Sequence, residues 1–255
     1  MSSFWNDAFD LGGQVAVVTG GGAGIGFACA ELLASRGASV ALLDLRPDVA
    51  DIAATLPGDA GKHIGVTLDV RDLAQVNAAV GTVTKRFGRI DHLVNSAGVA
   101  ILDKAVDVTE AGWDTTMDVN LKASFFVAQA VAKPMMAAGR GRIVNLASQA
   151  AVVALDRHVA YCASKAAIVG MTKVLAIEWA ASGITVNAVS PTVVETELGK
   201  KAWAGEVGER AKKQIPMGRF AQPAEIAAMV LYLLSDAAAM ITGENVVIDG
   251  GYTVQ

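Results

Sequence analysis

"VAVVTGGGAGIG", residues 15–26, runs from a valine-rich segment into a turn containing five glycines. A short apolar run rich in β-branched residues fits a buried strand. The residues that follow, "GIGFACAELLASRG" (24–37), read as a helix closed by Gly37. Between the two, Gly20, Gly24 and Gly26 form a G-x-x-x-G-x-G pattern, one residue longer than the usual dinucleotide fingerprint. Glycines allow positive φ and let backbone N–H groups approach a pyrophosphate at the helix N-terminus. Such turns also occur as plain connectors. The position between a first strand and a first helix raises this one above that reading.

Working outward, short apolar runs alternate with longer helical patterns. Strands are expected at "SVALLD" (39–44), "HIGVTLDV" (63–70), "HLVNSAG" (92–98), "GRIVNLAS" (141–148), "ITVNAVSP" (184–191) and "NVVIDGG" (245–251). Helices are expected over 73–88, about 110–138 and about 158–181. Near-continuous Val, Ile and Leu in the strands means that both sheet faces are covered. Strands alternating with helices imply right-handed crossovers and a parallel sheet. The expectation is a doubly wound, Rossmann-type α/β fold of about seven strands, in one domain over residues 1–255. The polar stretch 195–218 interrupts the alternation and reads as a substrate lid.

Composition narrows the class. The 255 residues are 53% hydrophobic and 18% charged, enough for a large core and too apolar for extended disorder. A net charge of -4 argues against a nucleic-acid partner. Two cysteines, Cys29 and Cys162, suit a reduced compartment rather than a disulfide scaffold. The opening "MSSFWNDAFDLGGQ" lacks a basic stretch followed by an apolar run, and no run of about 18 apolar residues occurs. A soluble, cytoplasmic chain with no membrane partner is expected. His63, His92 and His158 show no ligand spacing, so no metal is expected.

Asp44 ends the second strand 20 residues beyond Gly24, where a carboxylate accepts hydrogen bonds from the adenosine ribose hydroxyls. It would repel a 2′-phosphate, favouring NAD over NADP, although Arg46 stands two residues on. Asp69, ending the third strand, either reaches the adenine or is a solvated strand-end carboxylate. Tyr161 and Lys165, in "YCASK" (161–165), lie four residues apart and share one helix face.

Together these pieces resemble the short-chain dehydrogenase/reductase family over residues 15–252. The likeness rests on "TGGGAGIG", Asp44, "LDV" (68–70), "NSAG" (95–98), Asn120 in "DVNLKASFF", Ser148, "YCASK", "PTVVET" (191–196) and "DGG" (249–251). The resemblance implies that Tyr161 is the acid/base and that Lys165 lowers its pKa and holds the nicotinamide ribose. It implies that Ser148 orients the substrate oxygen, and that Asn120 kinks its helix and holds a proton-relay water. Gly20, Gly24, Ile25, Gly26, Asp44, Asp69, Val70, Asn95, Gly98, Pro191, Val194 and Thr196 would contact NAD beside Tyr161 and Lys165. The usual Pro-Gly after the sixth strand is Pro191-Thr192 here, similar to the bacterial polyol dehydrogenases of D-threitol type.

Gln149, His158, Glu195 and Trp203 are candidates to line a substrate pocket beside Ser148. Polar lining suits a polyhydroxylated substrate. The expected activity is therefore NAD-dependent interconversion of a secondary alcohol and a ketone on a short polyol, by a homotetramer. The alternatives are a 3-oxoacyl-thioester reductase using NADPH and a non-catalytic NAD-binding module.

Overall fold

The computed structural model describes residues 7–254, without the side chains of 198, 201 and 202. Residues 1–6, on which the reading of the N-terminus partly rests, and Gln255 lie outside the described residues. Seven parallel strands form one sheet in the order β3-β2-β1-β4-β5-β6-β7. They are β1 (Val15–Thr19), β2 (Ser39–Asp44), β3 (Ile64–Thr67), β4 (His92–Asn95), β5 (Gly141–Leu146), β6 (Ile184–Pro191) and β7 (Asn245–Ile248). The order reverses between β1 and β4, which opens a crevice at their C-terminal ends.

Alternation along β1 shows why the sheet reads as a continuous apolar run. Ala16 and Val18 enter one core layer, whereas Val15 and Val17 enter the other. The first layer is covered by α1 (Gly24–Ser35), α2 (Val49–Ala54) and, further along the chain, a helix at Pro223–Leu234. The second is covered by α3 (Leu73–Phe87), the helical stretch from 110 to 138, and the helix Val159–Trp179. Asp72 starts α3 by accepting from the Ala74 and Gln75 N–H groups, and Gly88 ends it at φ +78°.

The stretch from 110 to 138, read as one helix, is three pieces. It comprises α4 (Glu110–Met117), a π turn over Asp118–Lys122 and α5 (Ala123–Ala138). The next helix, α6 (Val159–Trp179), carries the Tyr161-Lys165 pair. Within the expected lid lie two short helices, α7 (Glu197–Ala202) and α8 (Glu206–Lys213). Besides these, two helices among the described residues escaped the sequence reading. One is α2, only six residues long. The other is α9 (Pro223–Leu234), which buries Ile226, Val230, Leu233 and Leu234 against the sheet. Its signals were present: Pro223 in the first turn and a capping box in which Glu225 accepts from the Gln222 N–H at 2.7 Å.

At the end of the sheet opposite the crevice, His92 begins β4 fully buried. One ring nitrogen, Nε2, lies 2.8 Å from Gln14 Oε1, and Nδ1 has no partner. Burial, aided by Arg142 and Arg140, pushes this imidazole down to about 4. Between about pH 4 and 6.5 the unfolded chain therefore binds a proton that the folded one refuses. Stability falls as the pH drops through that window, by up to about 3 kcal/mol at 1.36 kcal/mol per unit. We predict that denaturant titrations at pH 7 and pH 4.5 show this loss and that His92→Gln reduces it. An unchanged acid sensitivity in the variant would remove His92 as the cause.

Candidate active site

Two loops meet at the crevice, one after β1 and one after β4. Thr19 Oγ1 accepts hydrogen bonds from the Ser96 and Ala97 N–H groups at 3.1 and 3.2 Å, fastening the strand ends together. The glycines of the turn have no room for side chains. A Cβ on Gly20 would lie 2.9 Å from the Ala97 backbone, and one on Gly26 would lie 2.2 Å from Gly20 O. Gly24 takes φ +56°, and its missing Cβ would touch Thr196 Cγ2 at 3.2 Å. Ile25 packs on the first core layer.

Beside the turn is a cavity of about 340 Å³, and Gly20, Asp44, Asp69, Val70 and Gly98 all line it. Asp44 accepts from the Gly22 N–H at 2.8 Å and the Arg46 N–H at 3.0 Å, which fixes its carboxylate at the mouth. Arg46 itself is turned to Asp48, donating from Nε and Nη2 at 2.9 and 2.6 Å. Asp69 is gripped in the same two-pronged way by Arg71, which holds its carboxyl below the usual range. A glycine cradle that any Cβ would fill, opening beside a fixed carboxylate, fits a dinucleotide. Asn95 turns inward instead. Its Nδ2 donates to Ser124 O and Asn145 Oδ1, tying β4 to β5 and to the start of α5.

The π turn has a local purpose. It presents Asn120, fully buried, to the loop after β4 and to α6. Asn120 Oδ1 accepts from the Val99 N–H at 2.8 Å, while Nδ2 donates to Val99 O and Ser164 Oγ. Both amide hydrogens are thereby spent on protein, so a relay water at this side chain would meet only an acceptor. Its backbone carbonyl receives the Ser124 hydroxyl at 2.8 Å.

One turn apart on α6, Tyr161 and Lys165 face the same side. Lys165 Nζ lies 5.7 Å from the centre of the Tyr161 ring and donates to Leu146 O at 2.7 Å. Ser148, just past the end of β5, lies close enough to the Tyr161 phenol to oppose the rise in its pKa, and its Oγ accepts from the Ala150 N–H at 3.2 Å. In the protein without its cofactor, burial dominates the electrostatics of this pair. Burial raises the Tyr161 pKa, the Ser148 contact opposing it, and burial lowers Lys165 to about 8. Desolvation penalises the charged form of each group.

A second cavity, of about 320 Å³, has Gln149, His158 and Trp203 in its wall. The His158 ring stacks edge-on to Tyr161 at 5.9 Å, and Trp203 meets Phe220 at 6.0 Å. Glu195 does not join them, because it accepts from Gln222 Nε2 at 2.8 Å. Sequence reasoning missed Leu155, Thr192, Ile215, Phe220 and Tyr252 in this wall. Thr192 sat in plain view within "PTVVET", and Tyr252 follows the "DGG" turn. Leu155, Ile215 and Phe220 carry no local signal. Pro191 and Val194 are buried behind the wall, and Thr196 caps α7 by accepting from the Gly199 N–H at 3.0 Å.

Comparison with known proteins agrees with this geometry. A family profile described as "Enoyl-(Acyl carrier protein) reductase" matches residues 20–253. A crystal structure of a short-chain type dehydrogenase/reductase from Mycobacterium marinum superposes with a TM-score of 0.92 at 34% identity, covering 98% of this chain and 99% of that one. The chain belongs to the short-chain dehydrogenase/reductase family. Among curated relatives, an NAD-dependent glycerol dehydrogenase of Listeria innocua is 56% identical over 97% of this chain and 96% of its own. A D-threitol dehydrogenase of Mycolicibacterium smegmatis is 56% identical over 97% and 95%.

The buried ammonium makes a stability prediction. With Lys165 at about 8 when folded, the unfolded chain binds the extra proton between about pH 8 and 10.4. Stability therefore rises with pH across that window, by up to about 3 kcal/mol. Lys165→Met should be less sensitive between pH 7.5 and 9.5 in denaturant titrations. Equal slopes for both proteins would show that the ammonium is not desolvated.

Proposed function

We propose that the protein is an NAD-dependent dehydrogenase that interconverts a secondary hydroxyl of a short polyol with the corresponding ketone. The observation that carries the reading is the buried Lys165 ammonium beside the Tyr161 ring, with Ser148 on the phenol and a glycine-lined crevice next to them. The names of the two relatives at 56% identity support both the cofactor and the substrate class. The Asp44 carboxylate, with Arg46 held by Asp48, disfavours a 2′-phosphate and with it the acyl-thioester reductase reading.

Gly20, Gly24, Gly26, Asp44, Val70 and Gly98 would hold the dinucleotide, and Lys165 the nicotinamide ribose. When bound, NAD supplies the hydride acceptor. Ser148 donates to or accepts from the substrate oxygen and aligns it with Tyr161. The Tyr161 phenolate removes the hydroxyl proton. In the protein alone burial works against that phenolate, so the nearby ammonium has to supply the counter-charge. Gln149, His158 and Trp203 would surround the rest of the substrate, with residues 195–218 as a lid.

Two further properties complete the proposal. Val174 and Ile177 stand 53% and 80% exposed on α6, on the face where Gly170 is open, and a homotetramer would cover them. A reduced, cytoplasmic setting suits the free thiols of Cys29 and Cys162.

Purified protein should reduce NAD with D-threitol or glycerol far faster than it reduces NADP. Tyr161→Phe should lower kcat by on the order of 10²- to 10⁴-fold. Turnover undiminished by that substitution rejects the mechanism, and a preference for NADP rejects the role of Asp44. Light scattering should return four times the 26.2 kDa chain mass; a monomer would leave the α6 face unexplained.

A further inference from the structure

The wall of the substrate cavity holds two oxygens that the protein leaves without partners. Gln149 and Thr192 are 5% and 8% exposed, and neither Gln149 Oε1 nor Thr192 Oγ1 makes a hydrogen bond. Buried polar atoms of this kind are uncommon, and each calls for an explanation. A valine has the same branched shape without the hydroxyl, so the shape of the site alone does not call for the oxygen.

Register places Thr192 at the chemistry. β5 and β6 pair through Leu146↔Val189, and two residues on along each chain come Ser148, past the end of β5, and Pro191, the last residue of β6. Thr192 comes next, and its backbone is pinned there because its N–H donates to Ile248 O at 3.0 Å. That bond spends the N–H. What remains for a ligand on the donor side is the side-chain hydroxyl, and Thr192 lines the substrate cavity rather than the dinucleotide cavity.

We propose that Thr192 is a specificity residue that hydrogen-bonds a substrate hydroxyl other than the reacting one. The hydroxyl can turn by χ1 steps between staggered wells, so its present burial does not bar it from a ligand in the cavity that Thr192 lines. Gln149, beside Ser148, offers a second unpaired oxygen to the same substrate. A monohydric alcohol satisfies neither group and leaves both buried and unpaired, which is how a site built around hydrogen bonds rejects an analogue lacking them. This inference rests on the polyol reading and deepens it: the site demands at least two hydroxyls.

The test measures kcat/KM for D-threitol and for butan-2-ol, and the KM for NAD, in wild type, Thr192→Val and Thr192→Ser. Thr192→Val should cut the threitol-to-butanol ratio by roughly tenfold or more, within the discrimination one polar contact provides. Thr192→Ser, which restores the hydroxyl, should recover most of that ratio. A ratio that stays within twofold in Thr192→Val overturns the inference. A raised KM for NAD at an unchanged ratio overturns it too, assigning the hydroxyl to the cofactor. If wild type turns over no polyol at all, the functional reading fails, and this inference fails with it.

Discussion

Lys165, 6% exposed, holds its ammonium beside the C-terminal end of β5, in the middle of a sheet where the strands β4, β5 and β6 are almost wholly buried. Taking such a charge out of water is costly, and its own pKa records that cost by falling to about 8. What keeps it charged is geometry: Leu146 O accepts one of its hydrogens at 2.7 Å, and the Tyr161 ring presents its π face nearby. Leu146 is the last residue of β5, so the ammonium is anchored by the strand that delivers Ser148 two residues later. The ammonium and the serine thus share one support. A shift of β5 along β6 would move Ser148 and the acceptor of Lys165 together.

The surrounding polar network keeps that support rigid. Asn95, Asn145 and Thr172 link β4, β5 and α6 through bonds of 2.9 Å. Asn120 clamps the loop after β4 against α6, and the π turn is what aims it there. An extra residue in a helical turn disturbs the regular i→i+4 ladder and is frequently retained at functional sites. Here the Ala123 N–H reaches back to Asp118 O, five residues earlier, and the Ser124 hydroxyl donates to the Asn120 carbonyl. None of these residues needs to touch the substrate to matter. They set where Lys165, Ser148 and Tyr161 stand relative to one another.

Much of this was legible along the chain. Apolar runs punctuated by turn residues marked all seven strands, β1, β2 and β6 residue for residue, with β3, β4, β5 and β7 shorter than read. The Tyr161-Lys165 spacing put both groups on one helix face. Less legible were features that depend on contact across the sheet. Helix α9 carries ordinary start signals, yet its role as a cover for the first core layer follows from packing. Glu195 looked like a pocket residue until Gln222, 27 residues away, claimed it.

The sequence by itself determined the order of strands and helices, the glycine cradle and the types of side chain offered to the site, because these follow from local periodicity and from residues fixed in the chain. The tertiary structure alone decided which polar atoms are left unpaired and which charges are stripped of water. Burial and partnership arise between segments far apart in sequence, so Asn120 emerged with its hydrogens spent, Thr192 with its hydroxyl unpaired, and Lys165 with its ammonium stripped of water.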